Sequence, residues 1–292
     1  MFPIGEYIWP KSWVGRGCVI ATGLAIAVVS RKIGERKKLK QLRAKWDSVG
    51  KDVVMLHQFL RGKYCLNLSP FALKLETFLR VAKIEYVVDK DNPYGPKKGK
   101  CPWITLNGED VEDSQVIVQY LTEKFKVDVD SHLDTRDIAR LEAVRVMADE
   151  HVFWCVITWR YWLDNCKTFL TTQNFSRFLN FIFPFFMTRA IREKAVWHGI
   201  GCHTPDEIFN ISKRACHTLS TILGDDPFFG GDRPCTADCS VFGQLSQFMW
   251  NVPGSHYEAL VKETYPSLGA YCNRMKDALY PDWDKLLNPP SE

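Results

Sequence analysis

Lys100-Cys101-Pro102-Trp103-Ile104-Thr105-Leu106-Asn107-Gly108, followed shortly by Asp113-Ser114, is the stretch that decides the fold. A proline inside a strand removes a ladder hydrogen bond, so Pro102 belongs at the opening of a strand beside a ligand cleft, through a cis peptide bond. Asn107-Gly108 supplies two residues that tolerate positive φ, which predicts a tight hairpin turn. After the hairpin, Asp113-Ser114 marks a helix start, with Ser114 placed to cap the free backbone N–H groups. The apolar run Val116 to Leu121 carries that helix onward.

Working upstream, Val53 to Phe59 is β-rich and ends in a loop, Arg61 to Leu68. Ser69-Pro70 then opens a helix, with serine at the cap and proline at the first helical position. Phe71, Leu75, Phe78, Leu79 and Ala82 recur at helical spacing and give it one apolar face. Ile84 to Val88 reads as a second strand. Strand, helix, strand within so short a span forces a parallel pairing, and the Pro102 hairpin and its helix complete a βαβ-ββα order.

Downstream of Lys126 the chain is almost strand-free. Asp134 to Asn165 reads as one long helix or a broken pair, with Phe153, Trp154, Trp159, Tyr161 and Trp162 as packing rings. Asn174 to Ile191 is markedly apolar and suits a helix hairpin, a substrate wall or a membrane-leaning patch; Pro184 argues against a simple transmembrane helix. Pro205 to Leu223 is a further amphipathic helix. Near Pro234, Cys235 stands where a Ser or Thr cap would precede Asp238 by three residues.

The chain has 292 residues, 46% of them apolar, which suits two domains with a real core. Its net charge of +4 is concentrated: Arg31 to Lys45 nets +7, which leaves −3 for the remainder. That balance, without interleaved aromatics, excludes nucleic acid as a partner. Ten cysteines without a Cys-x-x-Cys pair read as reduced thiols in a cytosol-facing protein. No metal site is expected: His198, Cys202 and His203, and likewise Cys216 with His217, lack convergent spacing, and Asp149-Glu150-His151 reads as solvated helix surface.

Gly17 to Ser30 is apolar, Trp9 and Trp13 suit headgroup depth, and the basic run follows at once. This order is the reverse of a cleaved signal peptide. It predicts an uncleaved single-pass anchor through residues 13–30 with the folded part cytosolic; a soluble cytoplasmic chain is the alternative. The expected domains are an anchor candidate with basic linker (1–50), a βαβ-ββα domain (51–127) and a helical domain (128–292).

The strings Asn67-Leu68-Ser69-Pro70-Phe71, Lys74 to Arg80, Lys100 to Glu109, His151 to Trp162 and Pro234 to Leu245 resemble the failed axon connections family, with cadmium-responsive nematode proteins and metaxins as similar relatives. The resemblance runs from Asp52 to Trp283. It implies an α/β plus all-α fold, with a thioredoxin-like N-terminal domain followed by a glutathione-transferase-type helical domain. It also implies a glutathione site. There Cys101, before Pro102, would pair with the peptide of glutathione, Asp113 and Ser114 would hold the γ-glutamyl end, and Lys100 would attract the glycyl carboxylate. The sulfur would lie near Ser69, where omega-type transferases carry Cys-Pro-Phe, or near Cys65. Two functions follow from the resemblance. One is a membrane-anchored binding or adaptor protein with protein partners, linked to axon development or metal stress. The other is an active glutathione transferase or thiol transferase using Ser69 or Cys65. Homodimerisation is a further expectation.

Overall fold

The computed structural model describes residues 31, 34, 37–173 and 175–287. The chain divides into a leading unit, Met1–Lys51, and a unit spanning Asp52–Glu292. In the leading unit residues 37–47 are helical, and the Arg43 guanidinium lies 5.2 Å from the centre of the Trp46 ring. The expected anchor at 13–30 lies outside the described residues. Among the described residues no helix is long and apolar enough to cross a membrane.

The second unit begins with a four-stranded sheet. Strand β1 (Val54–His57) pairs in parallel with β2 (Tyr86–Asp89) and antiparallel with β3 (Trp103–Leu106), which pairs with β4 (Glu109–Glu112), giving the order β2-β1-β3-β4. Helix α1 (Pro70–Val81) connects the two parallel strands, and α2 (Ser114–Phe125) follows the hairpin. The hairpin turns at Asn107 and Gly108, with φ of 49° and 83°. Helix α1 forms where expected: Ser69 accepts a hydrogen bond from Ala72 N–H, and Pro70 sits at the first position. Its apolar side chains, with Ile104, Leu106, Ile117 and Leu121, build the core of this half. Each such large side chain contributes about 1.5–3 kcal/mol on burial.

The rest is helical: α3 (Thr135–Val146), α4 (Phe153–Thr158), α5 (Lys167–Thr171), α6 (Arg177–His198), α7 (Pro205–Leu223), α8 (Thr236–Trp250), α9 (His256–Ala259), α10 (Pro266–Leu279) and α11 (Trp283–Leu286). The 134–165 segment is a single rod widened by π-helical turns at Met147–Val152 and Trp159–Leu163, so α3 and α4 are continuous. Helix α8 is the central post of this half. Gly243 lets it approach α1 so closely that an added Cβ would lie 2.5 Å from the Pro70 carbonyl oxygen. At its start Cys235 occupies the cap, but the Asp238 carboxylate carries the junction, accepting from the N–H groups of Phe229 (2.9 Å), Gly230 (3.0 Å) and Cys235 (2.9 Å).

The chain's last turns close over α1. Arg80 makes a forked pair with Asp282 at 2.7 and 2.9 Å, donates to the Leu279 carbonyl at 2.9 Å, and lies 4.3 Å from the centre of the Tyr280 ring. Thr77 Oγ1 and the Tyr280 hydroxyl are 2.8 Å apart.

Candidate functional site

Pro102 immediately precedes β3 and Asp113 immediately follows β4, and Trp103 lies opposite Glu112 in the ladder. The two residues therefore sit side by side at one end of the hairpin. Trp103 also lies opposite His57, the last residue of β1, so the loop that leads to Ser69 leaves the sheet at the same end. The topology thus gathers Cys101, Pro102, Asp113, Ser114 and the start of α1 at one edge. The tie between the two helix starts is a hydrogen bond from Lys74 Nζ to Gln115 Oε1 at 2.8 Å.

The Cys101–Pro102 peptide is cis. The approach to it is held from beneath by Glu112, whose carboxylate accepts from the N–H groups of Lys97 (2.6 Å) and Lys98 (2.8 Å). Trp103 Nε1 donates to the Asn92 carbonyl at 2.9 Å, fixing the same loop. Among the described residues the main-chain N–H and C=O of Cys101 take no hydrogen-bond partner. Its thiol is pushed up to about 12 by burial, against a hydrogen bond from the Phe59 backbone, so it stays protonated at neutral pH.

The cap of α2 is Asp113 rather than Ser114. Asp113 has φ of 87°, uncommon for a residue with a side chain, and accepts from Gln115 N–H at 3.2 Å. Ser114 is the first helical residue, and its hydroxyl makes no hydrogen bond among the described residues. Lys100 Nζ lies 2.6 Å from Asp113 Oδ2. Burial alone would raise the Asp113 carboxyl, but the Lys100 hydrogen bond and charge hold it below the usual range.

Ser69 is buried, and its Oγ accepts from Ala72 N–H at 3.3 Å while its own N–H donates to Asn67 Oδ1 at 2.9 Å. Its O–H donates to no described group. Cys65 faces elsewhere. Its loop is bolted to α8: Gln247 Nε2 donates to the Asn67 carbonyl at 3.3 Å and lies 3.8 Å from Cys65 Sγ. The thiol has no solvent exposure, belongs to the core of the helical half, and is raised by burial.

Several buried charges escaped the sequence reading. Asp149 is not solvated surface: it is buried, 2.6 Å from Lys74 Nζ and 2.9 Å from Arg145 Nη1. Arg145, four residues earlier on the same rod, was the one local hint. Lys74 is lowered by burial, partly offset by Asp149. Glu76, fully buried, holds a forked pair with Arg61 at 2.6 and 2.8 Å. Arg160, also fully buried, donates to Gln247 Oε1 at 3.0 Å. No cluster able to hold a metal ion occurs among the described residues.

Residues 70–167 match the family model described as Glutathione S-transferase N-terminal domain, and residues 212–275 match the one described as Glutathione S-transferase, C-terminal domain. The chain is 34% identical over 251 residues to Failed axon connections of Drosophila melanogaster, covering 81% of this chain and 60% of that protein. The chain belongs to the glutathione-transferase-like family that includes failed axon connections. It therefore spans less than two thirds of that relative's length. This glutathione-transferase-like chain is also 24% identical over 240 residues to Metaxin-2 of Mus musculus, covering 79% of it and 90% of that protein. In fold it is similar to rice GST1 in complex with glutathione, with a TM-score of 0.51, 19% identity, and coverage of 83% and 93%. The comparisons thus bear out a thioredoxin-like sheet domain followed by a transferase-type helical domain.

Proposed function

We propose that this protein is a glutathione-binding adaptor that keeps the transferase cradle without a reactive thiol. The observation that carries the reading is the unpaired main chain of Cys101, held by the cis-Pro102 peptide next to the free Ser114 hydroxyl. An extended thiol peptide meets there the groups it needs: a backbone edge for two hydrogen bonds and a helix start for an α-carboxylate. Asp113 is placed for the α-ammonium. Lys100, already paired with Asp113, orients that carboxylate and lies within reach of a second acidic group. In this reading residues 51–127 hold the peptide and 128–292 complete the cleft. The apolar stretch at 13–30 tethers the chain to a membrane, and partner proteins supply the axonal or metal-stress role. Cys65 is buried and Cys101 half-buried; desolvation raises both thiols, so neither serves as a thiolate nucleophile in this reading.

Calorimetric titration with glutathione tests the reading. Millimolar or tighter binding that weakens at least about tenfold in Asp113→Ala is the expected result, an effect near 1.4 kcal/mol. Absence of any binding to the folded chain would sink it. A second reading, an active transferase, is favoured by one observation: the Ser69 O–H is free to donate to a bound sulfur. Conjugation of a chlorodinitrobenzene substrate that disappears in Ser69→Ala would establish it.

A further inference from the structure

We propose that the exposed phenylalanine face of α6 is a folded contact with an anionic lipid surface, separate from the 13–30 segment. Phe178, Phe181, Phe185 and Phe186 are 72, 83, 71 and 64% exposed. Their spacing places them along one side of the first turns of the helix. Monomeric soluble proteins seldom present so contiguous an aromatic patch without a use for it.

The helix is not loose. Phe183 turns inward against Phe169 (5.8 Å between ring centres) and Phe175 (5.3 Å). Thr188 Oγ1 donates to the Tyr161 carbonyl at 2.7 Å, and Ile191 and Ala195 are buried. The outward rings are thus displayed by a helix fixed to the body of the protein.

Charge selects the occupant. Arg177, Arg189, Arg192 and Lys194 are exposed on the same helix, and Glu193 is its only acid. At about 100° per residue Arg189 and Arg192 fall on the side of the helix that carries Phe178, Phe181 and Phe185, with Arg192 resting 5.5 Å from the centre of the Trp162 ring, so their guanidinium groups match lipid phosphates while the rings enter the acyl boundary. Four basic side chains and Pro184 keep the helix from spanning a bilayer, so it lies on the surface.

The test is made on the full chain with p-benzoylphenylalanine replacing Phe181 or, separately, Phe185. The chain is illuminated with phosphatidylcholine vesicles containing phosphatidylserine. Flotation with vesicles is not the readout, because residues 13–30 alone would carry the chain. The expected result is a lipid adduct at both positions and none when the same probe replaces Ile138 on α3. Arg189→Glu with Arg192→Glu lowers the adduct at least fivefold, as does omission of phosphatidylserine. An adduct to a second copy of the chain or to another protein in place of lipid would overturn the proposal, as would no lipid adduct at all. Phe181→Ser with Phe185→Ser leaves the circular dichroism spectrum unchanged, which separates loss of the contact from loss of the fold.

Discussion

Helices α6 and α8 invert the usual relation between composition and burial. Helix α8 reads Thr-Ala-Asp-Cys-Ser-Val-Phe-Gly-Gln-Leu-Ser-Gln-Phe-Met-Trp, with seven polar residues or cysteine, yet everything from Ala237 to Met249 is buried. Helix α6 carries five phenylalanines and buries only Ile191 and Ala195. The difference lies in how closely a neighbouring backbone can approach. Small residues on α8 admit α1 at Gly243, and most of its polar side chains find partners inside: Ser246 Oγ donates to the Gly243 carbonyl at 2.8 Å, and Gln247 serves Asn67 and Arg160, whereas the buried Gln244 amide makes no hydrogen bond among the described residues. A buried polar group that is hydrogen-bonded costs little, so polarity alone does not send a helix to the surface. The rings of α6 fill space outward because only one of its faces meets the protein.

The sharpest way to break this comparison is Asp149→Ala, which strips the carboxylate from the Lys74 ammonium beside α8 and leaves it only the neutral Gln115 amide. A loss of about 3–5 kcal/mol is expected from leaving a buried charge unpaired, read by urea unfolding. A loss below 1 kcal/mol would mean that water reaches Lys74 and that the α8 interface is not dry. Next in size is Gly243→Val, which forces α8 off the Pro70 carbonyl; about 2–3 kcal/mol of overpacking is expected by the same measurement. Smallest is Phe181→Ser with Phe185→Ser in the absence of lipid, where stability shifts by no more than about 0.5 kcal/mol. A larger loss would place those rings in a packed interface and remove the contrast between the two helices.

The parts of the fold legible in the sequence are those whose chemistry lies between near neighbours. Asn107-Gly108 turns the hairpin, Ser69-Pro70 opens α1, and Pro102 is cis. Local turn and cap signals marked Pro102, Asp113 and Ser114 as the ends of a strand and a helix, while their roles toward a ligand came only from the family resemblance. The allocation of the α2 cap was not legible, because Asp113 and Ser114 are both good caps, and it is decided by the Asp113 carboxylate accepting from Gln115 N–H while Ser114 is already helical. Nor was the buried network, because Lys74 and Asp149 are 75 residues apart, and a charged residue on a helix looks the same in sequence whether or not a distant partner meets it. Cys65 was ambiguous for a similar reason: its loop is fixed by Gln247 and Asn251, far along the chain.

The fork between Arg80 and Asp282 also imposes an order on synthesis. The two residues are 202 positions apart, so at ordinary translation rates roughly 10 to 40 s separate their emergence from the ribosome. Throughout that interval Arg80 keeps Tyr86, whose hydroxyl accepts from its Nε at 2.7 Å, but lacks its carboxylate, and the side of α1 that α8 later covers has no neighbour. A chain stopped just before Leu279 therefore loses the carboxylate fork, the Leu279 carbonyl and the Tyr280 ring and hydroxyl in one step, and with them the clasp on Thr77 and Arg80.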